Sequence, residues 1–160
     1  MRLNGMSPLD SRRALQIAIA VAGFVPVGAG LAGILMGPAL AGLGAHDAAL
    51  LAPVSLDSHF RYLSGLLLGI GVLFWWAIPT IERRGALVRA LTLIVVIGGL
   101  GRALSLAELG EPGSEGMRLA LIMELVVTPL ICLWQHRVEV RMGAGPRPRA
   151  GFFTPSSRLS

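Results

Sequence analysis

The feature that most constrains this chain is a long run without a charge. From Ala14 to Met36 no Asp, Glu, Lys or Arg occurs. More than twenty apolar residues in a helix span roughly 30 Å, the thickness of a bilayer's hydrocarbon layer. Three further apolar runs follow, at about 58–78, 87–106 and 117–134. The chain is 54% hydrophobic and only 14% charged, against about 25% charged residues in an ordinary soluble domain. Too few polar side chains are present to coat a globule, so the lipid bilayer is the natural solvent. The expected fold is all-α: a polytopic, four-transmembrane-helix bundle occupying residues 14–136.

The flanks agree with that division. Residues 1–13 form a short N-terminal segment in which Ser7-Pro8-Leu9-Asp10 reads as a helix start. Ser7 supplies the cap, Pro8 suits the first helical position and Asp10 completes a capping box. Arg12 and Arg13 then precede the first apolar run. A basic start before an apolar stretch also fits a secretory signal, but this run is far longer than the roughly 7–15 residues such signals use, which favours a retained first span. Pro26 is expected to kink it, and Gly30, Gly33 and Gly37 form a small-residue strip for close helix contact.

Residues 37–56 are a loop containing His46 and Asp47, either a plain connector or the site of one short interfacial helix over Asp47–Leu51. Asp57 is placed to cap the second span. Trp75 and Trp76 close it at the membrane interface, and Pro79 and Glu82-Arg83-Arg84-Gly85 make the turn. The third span carries Gly98, Gly99, Gly101 and Arg102. Ser114 and Glu115 open the fourth, which contains Glu124, Pro129 as an expected kink, and Cys132, a small buried hydrophobe with no disulfide partner. Residues 137–160 read as a basic, disordered cytoplasmic tail.

Charge orients the bundle. The net charge is +5 and every cation is arginine. Nucleic acid is a poor partner, because no soluble domain carries a basic stripe. Instead eleven of the 14 arginines flank one side of the four-span layout: those before Ala14, those around the second turn and those after Trp134. Arg61, Arg102 and Arg118 lie on the other side. The positive-inside rule then puts both termini in the cytoplasm.

On the opposite side the spans carry polar groups at matched depth. Arg102 lies six residues before Glu108, roughly 9 Å in, and Glu124 lies seven after Met117, roughly 10 Å in. Charges in that layer are costly and are expected to pair. Arg61 follows Asp57 by one helical turn, and Gly65 and Gly69 continue that face, which is expected to pack against other helices. Gly98, Arg102 and Ser105 share a face of the third span, as do Glu124 and Thr128 on the fourth. The candidate site therefore comprises Asp57, Arg61, Arg102 and Glu124, with His59, Tyr62, Ser64 and Ser105 nearby. Two alternatives stand beside it: Arg102–Glu124 as an interhelical clamp, and Asp57–Arg61 as a helix cap with a local salt bridge. His59 has no second ligand at helical spacing, so no metal site is read, and no nucleophile–base arrangement or phosphate loop is legible.

The stretches LDSHFRYLSGLLLGIGVLFWW, IERRG, GGLGRALSL and ELVVTPL, together with the terminal WQ, resemble the bacterial membrane proteins grouped as domain of unknown function 4345. The resemblance covers Arg13 to Gln135. It implies a four-helix protein of the bacterial cytoplasmic membrane, distantly similar in fold to DoxX-like proteins, and carries no activity with it. Three functions follow from the residues. The first is an accessory protein holding an anionic small molecule or a lipid head group between Arg61 and Arg102. The second is a small-solute or proton-coupled transporter, a homo-oligomer through its Gly-rich faces. The third is a quinone- or lipid-modifying enzyme using His59, Tyr62 and Asp57; lacking any cofactor motif, it ranks last.

Overall fold

The computed structural model describes residues 7–41, 54–110 and 114–143, and among these the regular structure is entirely helical. Helix α1 spans Pro8–Met36. Ser7 caps it as the sequence predicts, accepting from the Asp10 N–H at 3.2 Å and donating its hydroxyl to the Asp10 carboxylate at 2.7 Å. The helix stops at Gly37, whose φ of +62° suits only glycine, and a 3₁₀ turn covers Gly37–Ala41. Helix α2 runs Val54–Ala77 and continues as a 3₁₀ turn over Ile78–Arg83. Helix α3 is Gly85–Leu109, closed by Gly110 in the left-handed region. Helix α4 spans Glu115–Arg141. It is α-helical over Glu115–Ile122, a π turn over Met123–Val127 and α-helical again over Thr128–Arg141. All four helices are long and apolar enough to cross a membrane.

The termini of the described bundle meet at one end, here the termini end. Its core is there too: Leu15 and Ile19 of α1 meet Phe74 of α2, Ile81, Val88 of α3 and Val138 of α4. Side chains cross between helices in the same layer. The regular ladder of α2 stops at this turn, whose carbonyls are open to partners from elsewhere in the chain. Three of these are bonded from other helices: Ile78 O by Gln16 at 2.8 Å, Pro79 O by Arg12 at 2.7 Å and Ile81 O by Gln135 at 3.0 Å. Arg12 also pairs with Glu82 at 2.8 Å, and the Trp134 indole donates to Ser11 at 3.1 Å. These bonds satisfy polar groups that lipid cannot.

Four expectations change. The fourth helix does not end near Trp134 but continues through Arg137 to Arg141. The reason is burial: Val138 enters the core, and Glu139 is buried against Gly85, pairing with Arg89 at 3.2 Å. Asp57 is not the cap of α2, because the helix already begins at Val54 and Asp57 lies inside its first turn. Gly65 and Gly69 do not form a packing face, since a Cβ built on either meets nothing within 4 Å. The close approach of α1 and α2 uses Gly30, Gly33 and Gly71 instead. A Cβ on Gly30 would lie 2.6 Å from the Leu68 backbone N and 2.7 Å from the Ser64 carbonyl. Trp76 stays exposed with Arg84 over its ring, whereas Trp75 turns inward, donates to Ala20 O at 3.1 Å and fills the space beside Gly23. The proposed short helix at Asp47–Leu51 and the tail beyond Gly143 lie outside the described residues.

Because the atoms facing Gly30 are backbone, they cannot rotate away. Gly30→Ala should destabilise the protein by about 1–3 kcal/mol through forced separation of α1 and α2. Gly69→Ala, on an open face, should cause no loss. Thermal unfolding of the two variants in detergent checks this; equal melting temperatures would show that close α1–α2 packing contributes nothing.

Candidate functional site

Beyond the core, toward the far end of the bundle, the four helices line a partly open cavity of about 670 Å³. Ile19 and Phe74 form part of its wall at the core end. Each helix supplies one stripe to the wall, with Pro26 from α1, Ser64 and Leu67 from α2, Arg102 from α3, and Glu124 and Thr128 from α4. Most of the lining is aliphatic. The charged groups on it are Arg102 and Glu124.

Backbone chemistry in α4 places Glu124. Pro129 cannot donate to the carbonyl four residues before it, at Leu125, and the helix accommodates this by widening into the π turn. The Thr128 hydroxyl donates to Met123 O at 2.7 Å, bonding one of the carbonyls in the widened turn. Glu124 lies within this turn and Thr128 directly follows it, and both stand on the cavity wall. On α3, Gly99 lets the neighbouring helix approach; a Cβ there would lie 2.9 Å from Glu124 Cβ. Arg102 follows one turn later and grips Glu124 with two parallel bonds, Nε to Oε2 and Nη2 to Oε1, both 3.1 Å. This side-on geometry is the strong form of an Arg–carboxylate pair. The Arg102 side chain is 38% exposed and that of Glu124 17%. Arg102 Nη1 has no hydrogen-bond partner among the described residues. The pair thus holds its own charge balance and still presents N–H donors at the wall of an apolar chamber.

Asp57 and Arg61 form a second pair, at a different place. Arg61 binds Asp57 through Nε at 2.8 Å and Nη2 at 3.1 Å. Its Nη1 reaches across to the carbonyls of Ile34 and Leu35. Those are among the last carbonyls of α1, which lack partners within their own helix. Arg61 therefore caps α1 from α2, and Gly37 leaves room for it: a Cβ on Gly37 would be 2.6 Å from the Asp57 carboxylate. Neither residue lines the cavity.

The remaining sequence candidates separate in the same way. Ser64 is buried on the cavity wall, but its hydroxyl is engaged with Phe60 O at 2.8 Å. His59 and Tyr62 stack loosely on the exposed face of α2, with ring centroids 6.5 Å apart. Ser105 is exposed. The structure thus brings Arg102, Glu124 and Ser64 to one chamber and leaves the other five outside it. Among the described residues no three His, Cys, Asp or Glu side chains converge as a metal site. Sequence reasoning missed the π turn, for which Thr128-Pro129 just after Glu124 is the available signal. It also missed the buried Glu139, whose available signal is its place as a lone acid between Arg137 and Arg141.

Four apolar helices around a chamber with a paired charge define a multi-pass membrane protein. The family model described as a domain of unknown function (DUF4345) matches residues 14–135, and the chain belongs to that family. No curated protein and no solved structure matches it.

The ion pair makes a direct prediction. Arg102→Leu leaves Glu124 as an unpaired, largely buried carboxylate and should cost on the order of 2 kcal/mol. Adding Glu124→Leu should recover most of that loss, because an apolar pair removes both desolvation costs. Thermal unfolding of the single and double variants in detergent reads the difference; additive losses would mean that the two side chains do not act as a pair. Arg61→Ala should lower the melting temperature independently, by freeing the end of α1.

Proposed function

We propose that this protein is a binding or accessory protein of the bacterial cytoplasmic membrane that holds an anionic small molecule or a lipid head group at Arg102 and Glu124. One observation carries the reading: a bidentate ion pair on the wall of a large apolar chamber, with guanidinium N–H groups to spare. A purely structural clamp needs no chamber beside it, and a charged pair within a membrane span is expensive enough to suggest a use. Arg61, committed to Asp57 and to α1, is a supporting residue in this reading and not an anion ligand.

The arginine asymmetry supports a bundle with both termini in the cytoplasm. Among the described residues Arg12, Arg13, Arg83, Arg84, Arg89, Arg137 and Arg141 all lie toward the termini end. The Arg102–Glu124 pair then sits in the outer half of the membrane.

The test uses purified protein and native mass spectrometry with two probes, phosphatidic acid and inorganic phosphate. The wild type and Arg61→Gln should retain at least one of the probes. The Arg102→Leu/Glu124→Leu double variant should lose it by tenfold or more while staying folded. Retention by the double variant equal to wild type would reduce the pair to a clamp.

A further inference from the structure

We infer that the chamber takes a single-tailed acidic amphiphile from the bilayer, its carboxylate or phosphate head on Arg102 and its tail running toward Phe74. The inference rests on the role proposed for Arg102 and adds which class of ligand meets it.

The chamber is too large and too apolar for a head group alone. On α2 its wall runs from Phe60 to Phe74 and on α4 from Ala120 to Ile131. Between Glu124 and Ile131 alone the helical rise amounts to roughly 10 Å. A free phosphate or acetate bonded to Arg102 would leave that length lined by side chains such as Leu67, Ile70, Val95 and Ile131 with nothing against them. Apolar space of this kind does not hold water well and forfeits dispersion contacts when empty. A chamber of about 670 Å³ falls within the range of roughly 300–1,000 Å³ that encloses one small-molecule ligand. One chain with a compact head matches it.

The way in is sideways. Helices α2 and α3 touch little, in contrast to the long contact of α1 with α2. Leu63 and Leu66 of α2 and Ile94 of α3 line the chamber and are nevertheless 51%, 49% and 53% exposed. About half of each of these side chains is left uncovered by protein, and α2 and α3 pack little here, so this part of the wall is thin. Gly98 widens the α3 wall: it lines the chamber and a Cβ built on it meets nothing within 4 Å. Acyl chains surround that seam in a membrane, and a tail passes between such side chains without any backbone movement.

The head group follows from the free donors. Nε and Nη2 of Arg102 are taken by Glu124, whereas Nη1 has no partner among the described residues. Nη1 offers two N–H bonds, which suit an oxygen of a carboxylate or phosphate. Arg102 stands seven residues from the end of α3, roughly 10 Å in, a depth that an amphiphile's head reaches with its chain still in the hydrocarbon layer.

The experiment places the protein in phosphatidylcholine nanodiscs with a palmitate analogue carrying a diazirine near the chain end. After irradiation, the labelled peptides are mapped. The expected label falls on chamber residues of α2 and α4 such as Phe74 and Ile131. It should drop at least tenfold with excess oleate and stay unchanged with excess acetate or inorganic phosphate. Ala22→Phe, which narrows the chamber from α1 at its core end, should cut labelling by a similar factor. Label confined to outward-facing residues such as Val72 and Leu130 would overturn the inference. Displacement of the probe by acetate or phosphate would overturn it too, while leaving an anion site at Arg102. Loss of chamber labelling in Arg102→Leu/Glu124→Leu but not in Arg61→Gln supports the head-group assignment; chamber labelling unaffected by the double variant would remove Arg102 from it.

Discussion

The bundle depends on side chains that bond across helices to the turn at Ile78–Arg83. Hydrocarbon gives apolar helices no hydrophobic reason to prefer one another over lipid, so close packing and polar links must hold them together. Pro79 disrupts the helix just where α2 ends, and Arg12, Gln16 and Gln135 bond the carbonyls there. One helix start, one helix end and one turn are thereby tied in a single layer. Glu139, buried beside Gly85 and paired with Arg89, extends the tie to α3. The core residues gather in the same layer.

The far end is organised differently, and the chamber is its consequence. Helices α1 and α2 remain in contact along their length through Gly30, Gly33 and Gly71, while α3 and α4 form their own hairpin around Gly99. Between α2 and α3 the contact is slight. Two ion pairs then divide the work. Asp57–Arg61 ends α1 and sets where α2 begins to pack on it. Arg102–Glu124 joins α3 to α4 and faces the space between the hairpins. The two pairs have similar chemistry, but only one borders a volume that a ligand can occupy.

Much of this was legible in the residues. Uninterrupted apolar runs give the number of helices, because a spanning segment must satisfy its own backbone. Ser7-Pro8 and Ser114-Glu115 mark two helix starts through local hydrogen bonds that need no tertiary partner. The Arg102–Glu124 pair was also readable, since a short turn forces α3 and α4 to be antiparallel and equal depth then follows from helical rise. Arg61 shows where such reasoning stops. Its spacing from Asp57 is a helical turn, but its second partner is a pair of carbonyls at the end of another helix, and backbone carbonyls carry no sequence signature. Gly65 and Gly69 fail for a related reason: spacing tells which residues share a face, and not what the face meets.

By itself, then, the sequence determined four membrane-spanning helices, the caps that start the first and the fourth, the charge asymmetry and one charged pair in register. Each of these follows from interactions within a helix or across one short turn, where chain connectivity restricts the choices. Only the tertiary structure decided that Arg61 closes α1, that Trp75 and Glu139 turn inward, and that a chamber opens beside Arg102. Those outcomes depend on how the helices pack on one another, and that is set by a few glycines and by side-chain bonds between segments far apart in the chain.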